Sequence, residues 1–402
     1  MSNSKSNLIR ITNGRVVING RIEEEETLWI QDGKFIDPER TFWEQRIVPD
    51  TIIDAQGMLV SPGYIDIQVN GAVGVDFTAD RDNIVEGLDL VSKALLRFGC
   101  TAYCPTLVSS FPDAYRELLP HLKKRQGNIH DGAEILGVHL EGPFISPAKF
   151  GAHQLETLSI SPNGVVDFEA CYGFKLGSPS AEHIAFITVA PEMEGVMEVI
   201  PQLVEAGIQV SIGHSGATTS EAEKAISNGA SMVTHMFNAM QQFHHRDPGI
   251  IGILGSAQCN PYFGIICDGI HCHPNSVKIA HTAHPDGVVL VTDAMSAMGL
   301  PPGEYHIGNM KVDKSEDRVY IQGTTILAGS VITIDACVRN FRLFTGCSII
   351  EAIEAATLHP ARALGITHKK GTFQSGADAD FIFLDDELRV KRVFVAGEEV
   401  LI

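Results

Sequence analysis

Between about residues 60 and 355 the sequence alternates between short apolar segments and amphipathic ones, and this alternation restricts the possible folds most. Eight apolar segments predict strands, at 63–71, 100–107, 134–142, 184–192, 209–216, 231–239, 262–270 and 287–295. Most intervening segments have helical spacing, as in 82–99 and 193–207, and Thr218 with Glu221 forms a capping-box pattern. The alternation predicts an α/β fold, a (β/α)8 TIM-type barrel, with a doubly wound open sheet as the competing fold.

The two ends of the chain have a different pattern, because both contain short β segments separated by turns. Asn-Gly and Asp-Gly pairs within residues 13–33 are typical of hairpins. We expect both ends to pair into one small β-sandwich domain. The predicted parts are 1–58 for its N-terminal portion, 59–356 for the barrel and 357–402 for its C-terminal portion. The segment 349–366 predicts a single helix at the end of the barrel.

Composition narrows the class of protein. The chain of 402 residues has a net charge of −19, which argues against nucleic acids and anionic membranes as partners. An anionic substrate would therefore need local hydrogen-bond donors. The eight cysteines form no CxxC pair, the N-terminus lacks a signal-peptide pattern, and no apolar run approaches the roughly 20 residues of a membrane span. We expect free buried thiols and a cytoplasmic protein.

Polar residues stand at the ends of several predicted strands, where the active sites of such barrels lie. They are Gln68, Asn70, His139, Glu141, His214, His235, Asn238, Asp268, His271 and Asp293. Each alone has an ordinary explanation, since a strand-end His is more often a hydrogen-bonded core residue than a ligand. Together, Glu141, His214 and His235 offer one carboxylate and two imidazoles, which suit a catalytic Zn²⁺ or Fe²⁺ with an open coordination position.

Asp293 follows the last predicted strand and adds a second carboxylate to this mouth. A divalent metal lowers the pKa of a coordinated water toward about 7. A carboxylate at the opposite rim can take the proton of that water and pass it to a leaving nitrogen. The structural alternative is that Asp293 caps a helix. The combination predicts a metal-assisted amide hydrolase.

These residues fall within segments that match a known family. The segments are PGYIDIQVNGAVGVDF (62–77), VHLEGPFI (138–145), GAH (151–153), IGHSGAT (212–218), THMFNAM (234–240), DGIH (268–271) and VTDAMSAMG (291–299). In this order, and over nearly the whole chain, the sequence resembles the N-acetylglucosamine-6-phosphate deacetylases of the amidohydrolase superfamily. The resemblance implies hydrolysis of N-acetyl-D-glucosamine 6-phosphate to D-glucosamine 6-phosphate and acetate, in amino sugar catabolism.

The resemblance also implies roles at the metal. The family's metal ligands correspond to Glu141, His214 and His235, and its catalytic acid/base to Asp293. Many amidohydrolases carry a His-x-His pair on the first strand that helps to hold a second metal. Here Gln68 and Asn70 occupy those positions, and amides are poorer Zn²⁺ ligands than imidazoles. The sequence therefore predicts one divalent ion per chain, with Gln68 hydrogen-bonding the water on that ion.

The substrate-binding residues that the resemblance implies are Ala152, His153, Asn238, Ala239, Arg246, His271, Leu327, Ala328 and Gly329. Backbone N–H groups near Asn238, with the guanidinium of Arg246, would hold the phosphate of a small phosphorylated amino sugar. The structural alternative for Arg246 is a surface ion pair with Asp247. His273 competes with His271 for the contact with the sugar.

Two rival functions remain open at this point. One is another amidohydrolase deacylase that acts on a non-phosphorylated N-acyl substrate, which the presence of Asn238 and Arg246 disfavours. The other is a metal-free interaction module, which would be expected to have lost metal ligands. The family resemblance also suggests a homodimer. The segment 155–184 looks irregular and has no residue with an assigned function.

Overall fold

The structure is a computed structural model that describes residues 7–24, 26–37, 48–308 and 310–401. Its centre is a parallel barrel of eight strands: β1 (Tyr64–Val69), β2 (Cys100–Val108), β3 (Val138–Glu141), β4 (Ile184–Val189), β5 (Gln209–Ile212), β6 (Met232–Val233), β7 (Tyr262–Ile265) and β8 (Val288–Leu290). Each strand pairs with the next in chain order. A parallel bridge between Val69 and Ala294 joins the two ends of the sheet. The predicted barrel is confirmed.

Seven of the eight strands are shorter than the apolar segments that predict them, and β2 is one residue longer. The segment 209–216 contributes only β5, and 231–239 contributes only the two residues of β6. Beyond these strands the backbone leaves the ladder, and His214 and His235 have positive φ angles of 47° and 27°. The predicted strand 134–142 is interrupted for a related reason, because Gly137 has a φ of 130° between two short paired segments. The departures at His214 and His235 lie at the barrel mouth, where both side chains meet Glu141, whereas Gly137 lies before β3.

Helices surround the barrel at Ile84–Leu96, Pro112–Leu118, Val165–Tyr172, Val196–Glu205, Thr219–Ser227, Pro274–Ala283, Ile334–Thr345, Ile349–Glu354 and Leu358–Ala363. The capping box of Thr218 and Glu221 is present. The predicted single helix 349–366 is wrong, because the helix stops at Glu354 and restarts at Leu358. Pro360 lacks an N–H group and its ring clashes with the preceding turn of an uninterrupted helix. The segment 155–184 is also more regular than expected, since it contains the helix Val165–Tyr172.

Both ends of the chain form two packed sheets beside the barrel. One sheet has the order Lys34–Ile36, Leu28–Gln31, Leu8–Thr12, Thr51–Asp54, and the other has Glu398–Val400, Val390–Val395, Phe381–Leu384, Leu59–Pro62, Arg15–Ile18, Arg21–Glu23. Phe35, Phe381, Phe383 and Phe394 are buried in their shared core. The predicted β-domain built from both ends is confirmed. The boundaries at 58/59 and 356/357 stay a prediction.

A three-stranded antiparallel sheet, which the sequence analysis did not identify, follows β8. Its strands are Gly303–Ile307, Met310–Lys314 and Val319–Ile321. Their buried residues pack against Met295 and Ala328, so the sheet is fixed to the barrel mouth. All eight cysteines are free, and seven of them are buried, as predicted. None of the helices in the described ranges is long and apolar enough to cross a membrane.

Candidate active site

Three side chains from different strands meet at the barrel mouth. Glu141 is the last residue of β3, and His214 and His235 each follow their strand by two residues. Oε1 of Glu141 lies 3.2 Å from Nε2 of His214 and 3.0 Å from Nε2 of His235, and the two Nε2 atoms are 3.0 Å apart. All three residues are buried. Three potential ligand atoms therefore surround one small volume.

The hydrogen bonds of the cluster fit a divalent cation. Nδ1 of His214 lies 2.9 Å from the backbone oxygen of Lys149, which can only accept, so Nδ1 carries the proton and Nε2 presents a lone pair. Burial alone would raise the pKa of Glu141, but its interactions with the adjacent imidazoles of His214 and His235 lower it well below its usual range. An ionised carboxylate beside a ring nitrogen with a free lone pair is the donor set that Zn²⁺ and Fe²⁺ prefer.

His153 lies beside this cluster in a different state. One of its ring nitrogens is within 4.8 Å of the ligand atoms of Glu141 and His214. The backbone N–H of Ser109 donates to Nδ1 of His153 over 3.2 Å, so Nδ1 is unprotonated. Burial lowers the pKa of His153 to about 3, so the ring is neutral and its proton is on Nε2. A protonated Nε2 is a hydrogen-bond donor and not a metal ligand.

Asp293 approaches the cluster from the end of β8. Its Oδ1 accepts hydrogen bonds from Nδ2 of Asn70 over 2.7 Å and from Nε2 of Gln68 over 3.2 Å. Gln68 also donates to Oε1 of Glu141 over 3.1 Å, so one amide joins the two carboxylates. Burial and the nearby charge of Glu141 raise the pKa of Asp293 to about 6. A carboxyl group with this pKa can exchange a proton near neutral pH.

These groups share one cavity of about 620 Å³. It is lined by Asn70, Val108, Glu141, Gly151, Ala152, His153, His214, His235, Asn238, Ala239, His271, Asp293, Ile307, Leu327 and Gly329. The cavity combines a cation-binding cluster, a buried carboxyl group that can exchange a proton, and a neutral hydrogen-bond donor.

Comparison with known protein sequences assigns this chain to a family. The sequence profile described as Amidohydrolase family matches residues 59–400. The chain belongs to the amidohydrolase family. N-acetylglucosamine-6-phosphate deacetylase of Danio rerio is 46% identical over 99% of this chain and 98% of its own, and that of Homo sapiens is 43% identical over 98% and 95%. An N-acetylgalactosamine-6-phosphate deacetylase of Escherichia coli O157:H7 is 32% identical over 87% and 90%.

Solved structures agree with the sequence relatives of this amidohydrolase. The N-acetylglucosamine-6-phosphate deacetylase of Pasteurella multocida matches with a TM-score of 0.84 at 28% identity, over 98% of this chain and 99% of its own. A mutant of the Mycobacterium smegmatis enzyme, in complex with N-acetyl-D-glucosamine-6-phosphate, matches with a TM-score of 0.81 at 26% identity, over 99% and 100%. Amidohydrolases generally use a divalent metal, and the cluster at Glu141 has the geometry of a metal site.

Most of the predicted substrate-binding residues of the amidohydrolase line the cavity, but Arg246 does not. Arg246 is exposed on the loop that follows the cavity residues Asn238 and Ala239. Ala328 is buried between the lining residues Leu327 and Gly329. The phosphate-binding role of Arg246 therefore stays a prediction that the position of its side chain does not support by itself.

His271 and His273, between which the sequence did not decide for the contact with the sugar, have different surroundings in the structure. His271 lines the cavity, and its Nδ1 donates to Oδ2 of Asp268 over 2.6 Å. His273 instead caps the helix Pro274–Ala283 by accepting from the backbone N–H of Asn275. Of these two histidines, only His271 lines the cavity, and its contact with a substrate stays a prediction.

Not every strand-end residue reaches the mouth as expected. His139 is part of the barrel core, where its two ring nitrogens bond to the hydroxyls of Thr106 and Thr188 and its ring stacks on Phe186. His139 lies two residues before Glu141 and so faces the same side of β3, but one layer deeper in the barrel, and it does not line the cavity. Asp268 holds His271 and is not a lining residue.

Three residues that line the cavity or contact its lining had no signal in the sequence. Val108 and Ser109 come from the end of β2, and Ile307 comes from the sheet that follows β8. Ser109 matters because its backbone N–H sets the proton position of His153, and a backbone group has no residue-type signature. Ile307 belongs to a sheet that was not predicted.

Proposed function

We propose that this amidohydrolase removes the acetyl group of N-acetyl-D-glucosamine 6-phosphate and produces D-glucosamine 6-phosphate and acetate. The observation that carries the proposal is the meeting of Glu141, His214, His235 and Asp293 in one buried cavity. The names and the full-length similarity of the relatives supply the substrate.

Glu141, His214 and His235 would hold one divalent ion, for which we expect Zn²⁺, with Fe²⁺ as the alternative. When bound, such an ion polarises a carbonyl group and makes water a stronger acid. The protonated Nδ1 of His214 bonds to the backbone oxygen of Lys149, which keeps Nε2 of the same ring directed at the cluster.

The remaining steps belong to the side chains of this chain. Asp293, with a pKa of about 6, is mostly ionised at neutral pH and can accept a proton from the attacking water. It then returns that proton to the amide nitrogen as the C–N bond breaks. The Nε2–H of His153 can donate to the carbonyl oxygen of the amide, where negative charge develops. Burial of the cavity strengthens these interactions.

On the sugar side, we propose that Ala152, Asn238, Ala239, His271 and the backbone around Gly329 position the ring and the phosphate. Arg246 would have to reach the phosphate from its exposed loop. We also propose that the protein acts as a homodimer in the cytoplasm, on the strength of the family resemblance. Sedimentation at several concentrations tests the dimer.

The test is acetate release from N-acetylglucosamine 6-phosphate by purified protein, with and without a chelator. We expect turnover that the chelator abolishes and that Zn²⁺ or Fe²⁺ restores. N-acetylgalactosamine 6-phosphate and unphosphorylated N-acetylglucosamine are the matched control substrates, and each should be the poorer one. A preference for the galactosamine derivative would transfer the assignment to that sugar. Equal activity on the unphosphorylated sugar would favour the non-phosphorylated N-acyl substrates.

A second test addresses the phosphate itself. Losing one charge-assisted partner of a phosphate weakens binding, so Arg246→Ala should lower kcat/KM for the phosphorylated sugar roughly 30-fold. The weak activity on the free sugar should be unchanged. An equal fractional loss on both sugars would show that the phosphate is held elsewhere.

A further inference from the structure

Asn70 is not one of the proposed ligands or proton carriers, yet it donates the shorter of two side-chain hydrogen bonds to the carboxylate of Asp293. Its Nδ2 lies 2.7 Å from Oδ1 of Asp293, and Nε2 of Gln68 lies 3.2 Å from the same oxygen. Both amides are almost completely buried, at 3% and 2% exposure. An amide NH₂ group can only donate, so both contacts have a fixed direction.

The backbone holds the same three residues in register. The N–H of Asp293 donates to the oxygen of Gln68 over 2.9 Å, and the N–H of Asn70 donates to the oxygen of Ala294 over 2.7 Å. These bonds close the barrel between β1 and β8. Asp293 itself has a φ of 49°, a conformation that a residue with a side chain keeps only when its surroundings hold it.

The two donors give the two oxygens of the Asp293 carboxyl group different surroundings, because both donors bond to Oδ1. A carboxylate oxygen offers about two acceptor positions, and both positions on Oδ1 are used. Oδ2 makes no hydrogen bond to the described residues. A proton on Oδ1 would collide with an N–H donor, so the proton that Asp293 takes up is carried by Oδ2.

The other end of the Asn70 amide argues against a purely structural role. Its Oδ1 is buried and has no hydrogen-bond partner among the described residues. An unsatisfied buried acceptor is unfavourable, and an apolar residue of similar size would avoid it. The donor end toward Asp293 is what an amide adds at this position.

We propose that Asn70 is a positioning residue that, together with Gln68, fixes Oδ1 of Asp293 as an acceptor and so makes Oδ2 the oxygen that moves the proton. This inference rests on the proposed function. In the reaction, one O–H bond of the attacking water breaks and its proton goes to Oδ2. The proton then leaves Oδ2 for the amide nitrogen as the C–N bond breaks, and Asp293 returns to the carboxylate.

Two variants of similar size to Asn70 test the proposal. Asn70→Leu removes the N–H donor to Asp293. Asn70→Asp puts a second carboxylate beside Oδ1 of Asp293 in place of that donor. We expect both to keep about one metal ion per chain and a KM within roughly three-fold of the original. We expect kcat to fall roughly 30-fold for Asn70→Leu and further for Asn70→Asp, which is part of the ~10²–10⁴-fold contribution of an acid–base group.

A change in leaving group distinguishes positioning from packing. The ester analogue with oxygen in place of the amide nitrogen needs less protonation of its leaving group. We therefore expect Asn70→Leu to lose less than about five-fold on the ester while it loses about 30-fold on the amide. Equal losses on ester and amide, or a milder effect of Asp than of Leu, would overturn the proposal.

The result also separates this inference from the function on which it rests. If the unaltered protein releases no acetate from either compound, the proposed function fails. Crystal structures of the protein and of Asn70→Leu then decide the inference, because loss of the donor should let the Asp293 carboxyl group rotate. An unchanged carboxyl orientation would overturn it.

Discussion

Two buried clusters among the described residues have the spacing of metal ligands, and they differ in where their positive charge comes from. The mouth cluster is Glu141, His214 and His235, with His153 beside it, and the joint cluster is Glu134, Asp378 and Asp380, between the barrel and the β-domain. In the joint cluster, Nζ of Lys370 lies 2.8 Å from Glu134, 2.8 Å from Asp378, and also contacts Asp380. The joint cluster thus contains its own cation.

The mouth cluster has no such side chain. The ion-pair partners of Glu141 among the described residues are the two imidazoles of His214 and His235. A buried carboxylate is stable only when it is paired with a positive charge. The mouth cluster therefore needs a cation from solution, whereas the joint cluster does not. Burial by itself would favour neutral Lys370, but three carboxylates outweigh it and raise the pKa of Lys370 well above its usual value. We therefore expect the mouth cluster to bind a metal ion, and the joint cluster to stabilise the contact between the barrel and the β-domain.

The largest effect is expected at the mouth. His235→Ala should abolish binding of the divalent ion and reduce turnover to background, because two remaining ligands do not hold a catalytic ion. Metal analysis and the acetate assay measure both. Glu134→Gln in the joint cluster is the matched control and should keep the ion and the activity of the folded protein. Loss of the ion in the control alone would reverse the comparison.

The second effect separates proton transfer from metal binding. Asp293→Asn should keep the ion and lower kcat by ~10²–10⁴-fold, because an amide can accept the same contacts but cannot carry the proton. Metal content and kcat are measured on the same preparation. A variant with near-normal turnover would remove Asp293 from the proposed mechanism.

The third effect should appear in stability alone. Lys370→Met removes the buried cation that contacts all three carboxylates and should lower the free energy of unfolding by about 3–5 kcal/mol. Activity per folded molecule should not change, since the joint cluster is separate from the cavity. Denaturant unfolding together with the acetate assay tests both statements. A loss of activity in fully folded protein would show that the joint is coupled to the mouth.

The smallest effect is expected for an exposed lysine, which serves as the reference for Lys370→Met. Lys34 also pairs with Asp378, but its side chain is 41% exposed. Lys34→Met should lower the free energy of unfolding by no more than about 1 kcal/mol, as for other solvent-exposed pairs. A loss as large as that of Lys370→Met would show that burial is not what distinguishes the two lysines.

The mouth was largely predictable from the sequence, and the joint was not. Glu141, His214, His235 and Asp293 each follow an apolar strand segment, so barrel topology alone brings them together. Glu134 is distant from Lys370 in the chain, and although Asp378 and Asp380 are nearby, no local pattern marks any of the three as its partner.

Other errors have local causes. The predicted strands ran too long, because apolar composition does not reveal the positive φ angles at His214 and His235. The interruption before Pro360 could have been recognised from the proline itself. The orientation of His153 depends on a backbone N–H, which no side-chain pattern encodes.

The most direct test of the comparison is a crystal structure of the protein grown with Zn²⁺ and measured at the zinc absorption edge. We expect one anomalous peak per chain, between Glu141, His214 and His235, and none between Glu134, Asp378 and Asp380. A peak at the joint cluster, or none at the mouth, would contradict it.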